Sequence, residues 1–321
     1  MPICAFCGLE NSETAAYCDG CGHVLYVDRP APPPEEPILV GRRKELDLLL
    51  AAFDDAVSGS GRLAMLAGEA GIGKTWIARE VARQAAARGA VVMWGSCQDG
   101  NAQPPYGLWA EAFGGYVRAD EPDVIGQALG EGAPAISQIV PEVRALLPSV
   151  PPAPPLSPDE ERLRLYEASV RFLLSIARQT PVLLVLDDLH WADPDSLGLL
   201  QNLARFAARS RILVIGTYRD VDLDHGGDHP ILELLAILHR DAAFRQIPVR
   251  GLARKEVAEY LALTAGQALP SSLADTIHSQ TGGNPFYVRE LLRHLLEEHK
   301  ILRRAGHWSI DLGPDELGIP E

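Results

Sequence analysis

Hydrophobic positions follow two rhythms along this chain. Short, almost unbroken apolar runs occur at RLAMLA (62–67), AVVMWG (90–95), VLLVLD (182–187), RILVIGT (211–217) and FRQIPV (244–249). Between them lie stretches with helical spacing, such as TWIAREVARQAAARG at 75–89, which Gly89 is placed to end. A strand that is apolar at every position has no polar face, so both of its sides must be covered. Alternating such strands with helices predicts an α/β domain with a five-stranded parallel sheet between helical layers. From about residue 252 the pattern becomes purely helical, with RKEVAEYLAL, SSLADTIHSQ and NPFYVRELLRHLLEEH in succession. These segments predict a helical lid, after which ILRRAGHWSI reads as a short hairpin.

Proline divides the pattern into parts. DRPAPPPEEP (28–37) and PSVPPAPPLSP (148–158) favour extended backbone and cannot continue a helix or a central strand. The first run is read as a linker. The second is read as a loop within the main body, because SPDE (157–160) then offers a capping box with Pro158 at the first helical position. The expected organisation is a cysteine module at 1–27, a proline-rich linker at 28–37, a core at 38–251, and at 252–321 the lid with the start of a further domain. No repeat of fixed period is evident, and a chain stopping at ELGIPE is expected to be a fragment of a longer protein.

Composition narrows the classes. With 321 residues and 47% hydrophobic content, the chain can bury about two domains' worth of core. It has no run of 18 apolar residues and no secretory leader pattern at Met1–Glu10, so a cytoplasmic protein without a membrane span is expected. Acids outnumber bases 43 to 29, giving a formal charge of −14, and Lys44, Lys74, Lys255 and Lys300 are the only lysines. That balance argues against direct nucleic-acid binding, which needs clustered cations. Four of the five cysteines lie within the first 21 residues, which argues against a distributed disulfide framework.

The strongest chemical signal is GEAGIGKT at 68–75, which fits the phosphate-loop spacing of Gly, four residues, then Gly-Lys-Ser/Thr. It follows one apolar run and opens a helix, as that loop requires. Backbone N–H groups from Gly68, Glu69, Ala70, Gly71, Ile72 and Gly73, with the helix amino end and Trp76, are expected to surround phosphate. Lys74 would neutralise it and Thr75 would offer a hydroxyl to Mg²⁺. VLLVLDDLHWAD (182–193) ends a buried strand in paired acids at what should be the same sheet edge. Asp187 is then the magnesium residue and Asp188 the group that polarises the attacking water. A strand meeting a solvated turn would also end in aspartate, and a second acid can serve as a helix cap. For His190, Trp191 and Asp193, a loop that packs and caps the next helix is as good a reading as a catalytic one.

Five stretches in order, LVGRRKEL (39–46), GEAGIGKT, LLVLDDLHWAD, LVIGTYRD (213–220) and GGNPFYVREL (282–291), resemble the STAND-class ATPases of the AAA-related P-loop group. The likeness is strongest to the ATPase module of large LuxR-type regulators and multidomain nucleotide-cyclase-like proteins, and it spans about 38–312. It implies the AAA-like strand order with an added strand, ATP as ligand, and three further roles. Val40, Gly41 and Arg42 would lie beside the adenine, Arg219 would sense the terminal phosphate with Thr217 beside it, and Pro285 of the lid would pack on the base. The simpler alternatives are an Arg42 paired with a surface acid, an Arg219 capping a strand and a Pro285 that only starts a helix. Arg205, Arg209 and Arg250 are available as arginine fingers, and none can be assigned.

Cys4, Cys7, Cys18 and Cys21 form two Cys-x-x-Cys pairs ten residues apart, a set that closes a tetrahedral zinc site; two disulfides or free thiols are the alternative. Residues 1–27 carry three acids and neither Lys nor Arg, so this ribbon is expected to contact protein rather than nucleic acid, with His23 a bystander. Cys97 is expected to be a core or near-surface thiol and is assigned no role. Taken together, the residues and the resemblance predict a slow, ATP- and Mg²⁺-dependent signalling switch with a zinc ribbon. It would contact other domains or subunits through lid and ribbon, and a nucleotide-dependent homo-oligomer is among the assemblies this allows. The competing expectation is a nucleotide-gated scaffold with negligible turnover.

Overall fold

The computed structural model describes residues 10, 40–98, 104–220, 229–265, 269–297, 301–304 and 307–310. The chain divides into two units, Met1–Ile38 and Leu39–Glu321. Cys4, Cys7, Cys18, Cys21 and the linker at 28–37 lie outside the described residues.

The core runs α1 (Arg43–Val57), β1 (Arg62–Ala67), α2 (Lys74–Ala87), β2 (Val91–Ser96), α3 (Gly107–Ala119), α4 (Pro122–Leu129), α5 (Ala133–Ile136), α6 (Glu142–Leu146) and α7 (Pro158–Gln179). It continues through β3 (Val182–Asp187), α8 (Pro194–Ala207), β4 (Ile212–Tyr218), α9 (Pro230–Leu238) and β5 (Phe244–Pro248). The five strands form one parallel sheet in the order β2-β3-β4-β1-β5. This is the P-loop arrangement with an added strand, β4, between the strand that feeds the phosphate loop and the strand that ends in aspartate.

The unbroken apolar runs are explained by burial on both faces. Ala64, Leu66, Leu183, Val185, Leu213 and Ile215 pack with Leu49 and Phe53 of α1 and Ile77 and Val81 of α2. Their sequence neighbours Leu63, Met65, Val182, Leu184, Leu186, Ile212 and Val214 point into the larger core on the other face. That larger core holds the main departure from the sequence pattern. Helices α3–α6 fill 107–146, where Gly and Pro are frequent and the periodicity did not mark helices. Trp109 and Phe113 of α3 are fully buried, and Phe113 meets Phe172 of α7 edge to face at 5.2 Å. The Trp109 indole N–H donates to Ser196 O at 3.1 Å, fixing this helical insert to α8.

Helix α7 opens as its SPDE start predicts. Pro158 is its first residue, and Glu160 accepts from the Ser157 N–H at 3.0 Å. The lid comprises α10 (Arg254–Ala265), α11 (Ser271–Thr281) and α12 (Pro285–Glu297), followed by the antiparallel pair β6 (Ile301–Arg304) and β7 (His307–Ile310). Leu252, Val257, Leu261, Leu273, Ile277, Val288, Leu291, Leu292 and Leu295 give the lid its own core. On α12 the buried positions 288, 291, 292 and 295 fall on one helical face. Among the described residues no helix is long and apolar enough to cross a membrane.

Candidate nucleotide site

Strand β1 delivers the chain to the carboxyl edge of the sheet, where Gly68–Gly73 turn it into α2. Gly71 (φ 71°) and Gly73 (φ 105°) occupy left-handed conformations that a Cβ disfavours, which is why the tight loop needs glycine there. Lys74 begins α2 and folds back over the loop, its Nζ donating to Gly68 O at 2.7 Å and Glu69 O at 2.8 Å. The ammonium is thus held at the place where an anion would need it. Burial lowers the Lys74 pKa, Arg219 acts in the same direction, and the Asp188 carboxylate opposes both.

Because β4 sits between β1 and β3, its last residues bridge the two motifs. Thr217 stands opposite Leu66 of β1 in the register and lies one residue beyond Gly216, the partner of Leu186. Its hydroxyl donates to Asp187 Oδ1 at 2.5 Å and accepts from the Asp188 N–H at 2.9 Å. The Thr75 hydroxyl donates to the same Oδ1 at 3.2 Å. Asp187, 5% exposed, is therefore clamped between hydroxyls from the phosphate-loop helix and from β4.

Asp188 takes a left-handed conformation (φ 57°, ψ 46°), which Asp tolerates better than most side chains. Its carboxyl is pushed above the usual carboxylate range by burial first and by neighbouring Asp187 second, with Lys74 and Arg219 pulling it back. A raised pKa makes a carboxylate a better proton acceptor near neutral pH. Arg219 is half-buried just beyond Thr217, within electrostatic reach of both Lys74 and Asp188.

Residues of the HWAD stretch make packing and capping contacts. Asp193 is the N-cap of α8, accepting from the Ser196 N–H at 2.9 Å and the Ser196 hydroxyl at 2.6 Å. It also accepts from the N–H of Tyr106 at 3.2 Å, tying the start of the α3 insert to the site edge. His190 is buried, its Nδ1 3.9 Å from Asp188 Oδ1, and its carbonyl accepts from His229 Nε2 at 2.9 Å. Trp191 is exposed, with its ring 5.1 Å from that of His190. The Cys97 thiol is buried, and burial with the nearby Asp193 and Asp188 pushes its pKa up to about 12.

The remaining sequence-derived residues lie around the loop's outer side. Val40 is buried, and Gly41 stands against Leu252 and Glu256. Arg42 does more than meet a surface acid: it is 3.8 Å from Glu45, and its guanidinium donates to Ile72 O at 2.7 Å and Arg250 O at 2.6 Å. Trp76 is exposed, with the Arg79 guanidinium 5.1 Å from its ring. Pro285 is the first residue of α12, and Phe286 beside it lies against Gly71. Arg205 lies in the last turn of α8 and Arg209 just beyond it, where the chain has returned to the opposite edge of the sheet. Sequence reasoning passed over Asn284, which bonds to Ala70 O, and gave Thr217 no partner. The Asn-Pro and Asp-Pro pairs at 284–285 and 193–194 carry a readable N-cap-then-proline signal.

The hard-oxygen pair Thr75 Oγ1 and Asp187 Oδ1 suits Mg²⁺, which binds few protein groups and completes its shell with phosphate and water. Among the described residues no cluster of three or more His, Cys, Asp or Glu could hold a metal by itself.

A family model described as "AAA ATPase domain" matches residues 38–215. An uncharacterized protein of Rhizobium meliloti (strain 1021) is 26% identical over 266 residues, 79% of this chain and 24% of that protein. The chain thus spans about a quarter of the length of this curated relative. A Signal Transduction ATPase with Numerous Domains (STAND) protein with a tetratricopeptide repeat sensor, from Pyrococcus horikoshii, aligns at 15% identity and TM-score 0.44. The alignment covers 78% of this chain and 29% of that one. The Aeropyrum pernix ORC1 protein, solved in complex with DNA, aligns at 18% identity and TM-score 0.44, covering 84% and 63% respectively.

Two outcomes follow from this geometry. The folded pKa of Asp188 lies above its ordinary value, so its ionisation costs stability that is lost as pH rises from about that ordinary value through the raised one. Asp188→Asn removes the charge and accepts the left-handed backbone, so its unfolding midpoint at pH 7 should exceed that of the wild type, with the advantage shrinking toward pH 4. Melting curves from pH 4 to 8 that show no gain at pH 7 would contradict the assignment. Asp193→Ala should cost about 0.5–2 kcal/mol in urea unfolding, the usual worth of an N-cap, while turnover per folded molecule stays within a few-fold. Unchanged stability with hydrolysis abolished would place the tail in the chemistry.

Proposed function

We propose the following from one premise, that this chain belongs to the AAA ATPase domain family: it binds ATP with Mg²⁺ and hydrolyses it slowly, as the signalling switch of a multidomain regulatory protein. The observation that carries the reading is the convergence of the Thr75 and Thr217 hydroxyls on Asp187 Oδ1, next to Asp188 and within reach of Lys74. Each residue then has a part. Lys74 leaves the carbonyls of Gly68 and Glu69 to meet the phosphates, so binding exchanges two neutral acceptors for charged ones. Thr75 and Asp187 would hold the magnesium, which when bound neutralises charge on the transferring phosphoryl group. Asp188, biased toward proton acceptance by its raised pKa, orients the attacking water and draws its proton. Arg219, which acts electrostatically on Lys74 and Asp188, is assigned to sensing the terminal phosphate by the resemblance.

The STAND reading places the lid as the element that carries nucleotide state to other domains or subunits, homo-oligomers included. Val40, Gly41, Arg42 and Pro285 are assigned to the base end of the site on the same reading. Cys4, Cys7, Cys18 and Cys21 are assigned to zinc by their spacing, as a module for protein contact. The net charge of −14 favours protein partners over direct nucleic-acid binding, and a cytoplasmic location fits the same picture.

Isothermal titration with Mg-ATP tests the site. The wild type should bind saturably and Lys74→Ala should not; retained binding in that variant would sink the assignment. Phosphate release then separates a switch from a scaffold. Turnover that Asp188→Asn reduces by a factor of about 100 or more, the scale on which general bases contribute, supports the switch. Equal background rates in both proteins favour the nucleotide-gated scaffold.

A further inference from the structure

The lid meets the phosphate loop through Asn284 and its neighbour Phe286. Asn284, 2% exposed, precedes Pro285 at the start of α12 and uses both ends of its amide. Its Oδ1 accepts from the Phe286 N–H at 3.1 Å, capping α12, and its Nδ2 donates to Ala70 O at 3.0 Å, at the crest of the phosphate loop. The orientation of the amide follows from the partners, since only its nitrogen can donate to a carbonyl and only its oxygen can accept from an N–H. Next to it, Phe286 lies against Gly71 so closely that a Cβ added there would come within 2.5 Å of the Phe286 Cβ.

The turn that presents Asn284 is itself fixed. Gly283 O accepts from the Leu252 N–H at 2.8 Å, and the Gly283 N–H donates to Thr281 Oγ1 at 3.2 Å. A Cβ on Gly283 would stand 2.1 Å from Leu252 O, so the close approach depends on glycine. Two residues before Leu252, Arg250 O is held by Arg42, which also holds Ile72 O. Two alternate carbonyls of the loop, Ala70 and Ile72, are therefore gripped from outside, one by the lid and one by the segment before α1.

Peptide planarity gives that grip its consequence. In a trans peptide the carbonyl and the following N–H point to opposite sides. Holding Ala70 O outward turns the Gly71 N–H inward, and holding Ile72 O outward does the same for Gly73. We infer that Asn284 is a positioning residue for the phosphate loop, setting the Gly71 amide toward the anion and thereby coupling lid docking to phosphate binding. This rests on the nucleotide reading above and extends it. By linkage, whatever the docked lid adds to phosphate affinity, bound phosphate returns to lid docking.

Asn284→Ser separates capping from positioning, because serine is also a good N-cap but is too short to reach Ala70. Amide exchange in the nucleotide-free protein should quicken across 69–73 while α12 keeps its protection. The Kd for Mg-ATP should rise about five- to tenfold, the worth of one hydrogen bond that orients a binding group. Asn284→Asp also keeps the cap and replaces the donor with a charged acceptor facing Ala70 O, so it should show the same pattern, and it serves if the serine variant folds poorly. Unchanged exchange across 69–73, or an unchanged Kd in a wild-type background that binds, overturns the inference. A wild type with no saturable Mg-ATP binding would instead overturn the nucleotide reading, while the nucleotide-free exchange still decides whether Asn284 positions the loop.

Discussion

Everything at this site depends on strands running in one direction with both faces buried. A parallel sheet places every strand's carboxyl end on the same edge, and burial of both faces forces the connections to cross above and below it. The loop after β1, the aspartates after β3 and the threonine near the end of β4 therefore meet, although they are far apart in sequence. The position of β4 matters most. With β1 and β3 not adjacent, a hydroxyl on the strand between them is the shortest bridge, and Thr217 supplies it to both aspartates. A residue without a hydroxyl there would leave the Asp187 carboxylate, almost wholly buried, with Thr75 as its remaining hydroxyl partner and the Asp188 N–H without an acceptor.

Much of this was readable locally. The central strands β1, β3 and β4 declared themselves as unbroken apolar runs because nothing polar can face either helical layer, and GEAGIGKT declared itself because its spacing reflects what the loop must do. The pair at 187–188 was readable as chemistry once the loop fixed which sheet edge mattered. Helices α3–α6 were hidden by their own composition, since glycine and proline between 107 and 146 mask a helical period that only packing against Phe172 and α8 supports. Tyr106 illustrates the same limit. Its left-handed φ of 62° and its bond to Asp193, 87 residues away, come from where the insert docks and not from its neighbours in sequence.

Arg42 and Asn284 were unreadable in another way. The motifs around them are evident, yet each acts through a backbone carbonyl, which leaves no residue-type signature at the receiving end. Ala70 and Ile72 carry no chemical hint that they are acceptors. The resemblance placed Arg42 and Pro285 near the base of a nucleotide, whereas the contacts present concern the backbone of the loop and of its neighbours. The two ideas are compatible, because residues that shape a loop from outside can also border what binds inside it.

The resting site is also electrically self-satisfied. Lys74 is bonded to two carbonyls of its own loop and Asp187 to two hydroxyls, while burial and neighbouring Asp187 raise the Asp188 pKa. An incoming ligand gains only the difference between its contacts and those already made. On the proposed reading, a triphosphate with a divalent cation would offer Lys74 full negative charge in place of carbonyl dipoles and would offer Asp187 a cation in place of neutral donors. An uncharged nucleoside can offer neither. On the same proposed reading, preference for the charged ligand would come from the internal bonds it replaces, and the bonds to Ala70 O and Ile72 O would shape the loop for that exchange.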